Sequence, residues 1–486
     1  MHYKIPENRK QIMLFSQLDL WIDQENPVRL IDSIVEKIIR NNPGLFTWKG
    51  QSNRGCTCYS PATMSKLILY CYFNWIPGSR RIEKETYKNM EVIWLLGNLH
   101  PDHWTICQYR RENKKQIKHI AIEFRKFLKS TGYIEGKTVA VDGSKMKAYA
   151  SADMFSEEKI AKRLEKIDEQ IESYLESIDE VDNLENQLEE EKQQKKELED
   201  KIEKLVKNKI KLERINEQLK LTGKKYLSPN DPDAELMKSR DGKKACYNIQ
   251  TGVDAKNKMI LMAEVSVDPN DIGLLETNHE KINTQLEIEP KELEADSGYG
   301  SLNQIQKIEN NSQTKCYVPL QQTKAQTKDK QNNIVFHYDE KMDEYICCQG
   351  KKLKLHQRNK KHKQQIYNVY KCESCHGCPI KNKCTQAKTG RRIHRNINQK
   401  WIDQYKEFLI TRKAKSKIKE RKSLVEHPFG TIKLIMGKHC FLLTRKHKVQ
   451  IELDIYSTIY NLKRLINIEK MERIMEQINS YNWKIA

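Results

Sequence analysis

Three carboxylates and one cysteine cluster carry the chemistry this sequence could do. Asp142 closes the short β-rich run Thr138-Val-Ala-Val-Asp142 and is followed by Gly143. Asp296 follows the run Glu292–Ala295 and precedes Gly298, and Glu426 lies in Val-Glu-His-Pro-Phe-Gly on an expected helix. Strand ends along one edge of an α/β sheet are where sites are built. Two strand-end aspartates and a helical glutamate meeting at a point would hold two divalent ions about 3.5–4 Å apart. Phosphoryl transfer uses that arrangement to activate the attacking oxygen and stabilise the leaving one. Magnesium suits such a site, because it takes carboxylate oxygens and keeps waters. A lone strand-end aspartate is usually a cap or turn residue, and Asp254, Asp268 and Asp271 compete on the same grounds.

The second constellation is Cys372-x2-Cys375-x2-Cys378-x5-Cys384, with Cys347-Cys348 upstream. Paired CxxC spacing lets two thiolates reach one tetrahedral zinc, and four thiolates leave no open position for water, so zinc here would be structural. Reduced thiols without metal are the plain alternative. Cys56, Cys58, Cys71, Cys107 and Cys440 read as core or incidental residues.

Several elements must position these groups. Residues 1–130 read as an all-helical domain: Ser60-Pro61 sets an N-cap and a first-turn proline, and Met64, Leu67, Ile68, Cys71 and Tyr72 follow at helical spacing. Asp102 opens another helical stretch with Arg110 and Arg111, candidate DNA contacts. From 131 to 320 the pattern is a mixed α/β sheet: strands at 138–142, 247–253, 259–267, 292–295 and 316–320 with helices between the later ones. The excursion 156–222 lacks Gly and Pro, and its apolar residues fall at steps of three and four. That predicts an antiparallel coiled-coil hairpin, since the chain must return to the sheet, with arms of about 30 residues or roughly 45 Å. Its turn could fall at Asp179–Asn183 or at Glu189–Lys196. Residues 321–410 read as a basic, cysteine-rich insertion with little periodicity, and 411–486 as the C-terminal helical part carrying Glu426.

Charge points to the partner. The net charge is +21, yet 156–222 carries 20 acidic against 14 basic residues, while 351–421 carries 22 basic against 4 acidic. A concentrated basic face is the footprint of a nucleic-acid binder, because neutralising phosphates releases counterions. Arg391, Arg392, Arg395 and Arg421 lie in that segment and, with Lys422 and Lys433 just beyond it, are further candidate DNA contacts. A membrane surface is disfavoured, since neither an amphipathic membrane helix nor a run of about 18 apolar residues is present. The amino terminus lacks the apolar core of a signal peptide, so a cytoplasmic address is expected.

Taken in order, these segments resemble a known family over nearly the whole chain. The residues are Tyr59-Ser-Pro-Ala, Ser79-Arg-Arg-Ile-Glu83, Pro101-Asp-His-Trp-Thr-Ile-Cys-Gln-Tyr-Arg110, Val141-Asp-Gly-Ser-Lys145, Tyr247-Asn-Ile-Gln, Pro269-Asn-Asp271, Ala295-Asp-Ser-Gly-Tyr299 and Val425-Glu-His-Pro-Phe-Gly-Thr-Ile-Lys433. They look like a bacterial insertion-sequence transposase of the DDE class, in a subfamily with a cysteine-cluster insertion. The resemblance implies an RNase H-like catalytic domain and Mg2+ (or Mn2+) on Asp142, Asp296 and Glu426. Asp271 becomes a supporting residue. Structural Zn2+ would sit on four of Cys347, Cys372, Cys375, Cys378 and Cys384. Relatives carry Y-x2-R-x3-E-x6-K around the glutamate; here Lys433 fits, Lys422 stands at the Arg position beside Arg421, and Lys419 at the Tyr position. Those departures put a hairpin-forming cut in doubt. The implied partners are double-stranded DNA, both element ends and target, and a second copy in a homodimer. The implied location is the bacterial cytoplasm, on the nucleoid when DNA is bound. A repurposed transposase that binds DNA without cutting it is the other reading.

Overall fold

The computed structural model describes residues 18–46, 58–149, 154–182, 189–239, 242–321, 329, 332–362, 365–436 and 440–483. Six helices come first: α1 (Pro27–Asn41), α2 (Pro61–Phe73), α3 (Ser79–Lys88), α4 (Met90–Leu96), α5 (His103–Glu112) and α6 (Lys114–Ser130). The starts of α1, α2, α4 and α5 are fixed by side-chain caps that satisfy otherwise orphaned N–H groups. Asn26 accepts from Val28 N, Ser60 from Thr63 N and Asp102 from Thr105 N.

A mixed sheet follows, built from β1 (Thr138–Lys147), β2 (Glu235–Ser239), β3 (Gly242–Asp254), β4 (Ile260–Ser266), β5 (Glu292–Glu294) and β6 (Lys315–Tyr317). β3 lies antiparallel to β1, β2 and β4, while β1, β5 and β6 run parallel. Helices α9 (Leu275–Leu286) and α10 (Leu302–Asn311) make the crossovers to β5 and β6, as parallel neighbours require. The outer edge of β4 is an unpaired row of N–H and C=O groups that must be covered. A C-terminal helix, α14 (Lys446–Ile468), covers it. Gln450 bonds Val265 N and Ala263 O, and Asn461 bonds Ile260 N and Ile260 O. The lengths match: eleven helical residues and five strand residues each span about 16 Å. One hydrophobic core runs from Ile22 through the N-terminal helices and this sheet to Trp483.

Between β1 and β2 stand α7 (Glu157–Asp182) and α8 (Glu189–Thr222). Ile160, Ile167, Leu212, Ile215 and Leu219 are buried between them. Lys209 pairs with Asp168 at 2.6 Å and Lys201 lies over the Tyr174 ring, so the two helices run antiparallel, as their periodicity implies. Residues 179–182 and 189–196 are helical rather than turn, and the connection at 183–188 lies outside the described residues.

Residues 336–396 form a second, antiparallel sheet in the order β11-β10-β9-β8-β7: β7 (Phe336–Asp339), β8 (Glu344–Cys347), β9 (Lys352–His362), β10 (Gln365–Lys371) and β11 (Arg392–Asn396). It has its own core around Leu353, Tyr370 and Cys372. A short helix, α11 (Lys381–Cys384), lies within it, and α12 (Gln399–Ile410) and α13 (Arg412–Met436) lead back over the first sheet.

Candidate active site

Side chains alternate along a strand, so Ala140 and Asp142 share one face of β1. The parallel register sets Thr138 beside Glu292 and Ala140 beside Glu294. Beyond that register Asp142 continues β1 and Asp296 lies two residues past the end of β5, near enough that its charge acts on Asp142. Helix α13 lies across this face: Leu424 and Val425 bury against Ala140 and Val253, and Lys417 reaches Glu292 at 3.1 Å and Glu294 at 3.6 Å. Arg421, on the same helix, reaches Asp142 Oδ2 at 3.4 Å.

Asp142 is the perturbed group. Burial pushes its carboxyl up to about 6; Arg421 opposes the shift, while Asp296 and Asp271 add to it. Asp296 caps the turn Ser297–Tyr299 by accepting from Gly298 N at 2.7 Å. Asp271 approaches from the Gly143 side, where it accepts from Asn248 Nδ2 at 2.7 Å and Gln250 Nε2 at 2.9 Å. Gly143 makes room for this approach, since a Cβ there would stand 2.4 Å from Asp271 Oδ1. Gln250 also accepts from Asn278 and from the Tyr299 hydroxyl. Asn248 and Gln250 thus brace Asp271, with Tyr299 holding Gln250, a role that residue type alone did not mark.

Glu426 sits on the helix that covers Asp142's face but does not join the aspartates. It lies five residues beyond Arg421, about 140° round the helix at 3.6 residues per turn. Its side chain is 63% exposed and lies 3.9 Å from Lys422. Among the described residues, no group of three or more His, Cys, Asp or Glu side chains is placed so that it could hold a metal ion.

The cysteines share one pocket. Cys347, Cys348, Cys372, Cys375, Cys378 and Cys384 all line it, with Phe336 and Leu353 among its apolar walls. Burial, followed by the hydrogen bond to Cys375, pushes the Cys372 thiol up to about 11. Arg391 N donates to Cys375 Sγ at 3.4 Å.

The basic residues separate into buried and exposed. Arg110 is 4% exposed and donates to the Tyr72 hydroxyl and to Pro77 O, so it braces the helical layer. Arg111, one residue on, is exposed. Arg391 turns inward onto Asp329 and Cys384 O, and the Arg395 guanidinium stacks 3.6 Å from the Tyr338 ring centre. Of that trio Arg392 alone is exposed. Lys422 is exposed, and Lys433 is half-buried.

Two family models match the chain. A transposase DDE domain matches residues 346–466, which include Glu426 and the cysteine set but neither Asp142 nor Asp296. A transposase domain (DUF772) matches residues 16–112, in the helical layer. None of the curated proteins and none of the solved structures matches the chain. No described helix is long and apolar enough to cross a membrane.

Proposed function

We propose, from the transposase DDE-domain identity that the two matches support, that the chain is a DNA transposase. It binds the ends of an insertion sequence, cleaves strands there and joins the 3′-hydroxyl ends to target DNA. The observation that carries the reading is the nearness of Asp142, on β1, to Asp296, just past the end of the parallel strand β5, under a helix that bears Glu426. The strand order β4-β3-β1-β5-β6, three antiparallel strands followed by two parallel ones, supports an RNase H-like core.

The donor set fits magnesium or manganese in part. Asp142 and Asp296 offer carboxylate oxygens, and Asp142 already draws a cation, Arg421. Arg421 Nη1 is itself buried without a hydrogen-bond acceptor. Glu426 would complete the set on turning inward from solvent. Divalent ions held there would activate the attacking oxygen and stabilise the leaving one. The protein's part is to hold Asp142 and Asp296 through the backbone N–H groups of Gly143 and Gly298, and to supply cationic surface that grips the DNA backbone. Arg421 would leave Asp142 as the ions arrive.

The cysteine pocket gathers the sulfurs a structural zinc would take, although among the described residues no three of them stand at ligand positions, so the loops would close on the ion as it binds. Zinc takes thiolates and displaces their protons, and the pocket holds more than the four sulfurs such an ion takes. The acidic α7–α8 pair suits a protein contact rather than DNA, and a second copy of the chain is the natural candidate. The test of the function is excision from a plasmid carrying a matching element. The chain should release the element in magnesium and leave it in place in chelator. A DNA-bound protein that never cuts would favour the repurposed, non-catalytic reading.

A further inference from the structure

The two faces of the second sheet treat their cations differently. On the inner face, Arg395 lies over Tyr338 and Arg391 pairs with Asp329. On the outer face, Lys354 stands directly opposite Lys371, and Lys371 directly opposite Arg392. Three like charges therefore face one another across three adjacent strands, spanning about 10 Å. Like charges in directly opposed positions destabilise a sheet, so the row costs stability unless something anionic covers it.

Nothing in the chain does so among the described residues. Lys354 and Arg392 are exposed, and none of the three has an ion pair. The carboxylates on this face lie towards the other edge and are engaged: Glu344 pairs with Lys352 at 2.5 Å, and Asp339 accepts from Lys341 N and Met342 N. Farther along the same face, Tyr367 and His394 stand with ring centres 6.0 Å apart, and Lys360 is opposite Tyr367.

We propose that the outer face of β9–β11 is a docking surface for the phosphate backbone of double-stranded DNA, with Lys354, Lys371 and Arg392 each meeting a phosphate. This rests on the transposase reading and deepens it by naming where the backbone lies. A regular row of point charges with no acidic neighbour suits a polyanion of regular spacing. It carries no base-reading geometry, so the contact is independent of sequence.

The test is a triple variant, Lys354→Gln, Lys371→Gln and Arg392→Gln, titrated with a mixed-sequence DNA duplex over a range of salt. Each phosphate contact contributes about 0.9 to the slope of log affinity against log salt, so the slope should flatten by about 2.7 and affinity at about 0.1 M salt should fall on the order of 10²-fold. The charge-preserving variant, Lys354→Arg, Lys371→Arg and Arg392→Lys, should keep the parent slope, which separates lost charge from a damaged sheet. An unchanged slope in the Gln variant overturns the proposal while leaving the transposase reading intact. A parent chain that does not bind DNA overturns both. A Gln variant that loses binding only to anionic lipid vesicles would assign the face to a membrane instead, and so also overturns it.

Discussion

Asp142→Ala and Asp142→Asn should each abolish magnesium-dependent cleavage and strand transfer, and Asp142→Asn should at the same time make the metal-free protein more stable. The activity loss follows from the site: a carboxylate that anchors a catalytic ion contributes several kcal/mol to the transition state, so its removal should cost on the order of 10³-fold or more. DNA binding should persist, because the phosphate contacts come from other residues. The stability gain follows from linkage. Burial and the neighbouring Asp296 and Asp271 raise the folded-state carboxyl from 3.8 to about 6. The folded chain therefore holds that proton more tightly than the unfolded chain, and stability falls as pH rises from about 4 to about 6. At neutral pH an uncharged Asn escapes that penalty, about 3 kcal/mol, in which the attraction to Arg421 is already counted. Thermal melting across pH checks the sign: the two proteins should converge below pH 4 and separate above 6. Magnesium must displace the Asp142 proton, so its affinity for the parent should rise with pH through about 6. A variant that still cuts, or that melts lower at neutral pH, would count against this picture of Asp142.

The second large effect concerns the cysteine pocket. Protein prepared without chelator should carry about one zinc per chain, and replacing Cys375 and Cys378 together by Ser should release it. Binding free energy at such a site is folding free energy, on the order of 10 kcal/mol for small zinc modules. The sheet at 336–396 has only a small core of its own around Leu353, Tyr370 and Cys372. It should therefore lose protection against proteolysis while the first sheet, embedded in the main core, keeps it. Elemental analysis that finds no zinc in the parent chain would remove the metal from the pocket.

Much of this architecture was legible in the sequence, for local reasons. Capping residues marked the helix starts at Pro61 and His103, and the apolar period of 156–222 marked an antiparallel pair. Asp296 follows the end of β5 as its run predicted, whereas Asp142, read as closing a strand, lies in the middle of β1, which runs on to Lys147. What failed was anything that depends on which way a side chain faces. Arg391 and Arg395 were read as DNA contacts from charge density, yet they turn inward onto Asp329 and Tyr338. Arg110 looked like a surface cation but is buried against Tyr72 and near Glu452, some 340 residues away in sequence. In the second sheet, extra residues in β9, between Leu355 and Gln357 and between Gln357 and Lys360, break the two-residue alternation that marks a strand. Glu426 was placed on a helix over the right strand, but its phase relative to Arg421 decides whether it reaches Asp142, and spacing from the aspartates says nothing of that.

The central claim is that Asp142, Asp296 and Glu426 share the same divalent ions, and iron-directed backbone cleavage tests it most directly. Ferrous iron replaces magnesium at carboxylate sites and, with ascorbate and peroxide, cuts the polypeptide beside its own ligands. The expected result in the DNA-bound protein is three cuts, near residues 142, 296 and 426, all suppressed by excess magnesium and all lost in Asp142→Ala. Cuts near 142 and 296 alone, with 426 intact, would contradict the shared site and leave Glu426 as the exposed partner of Lys422.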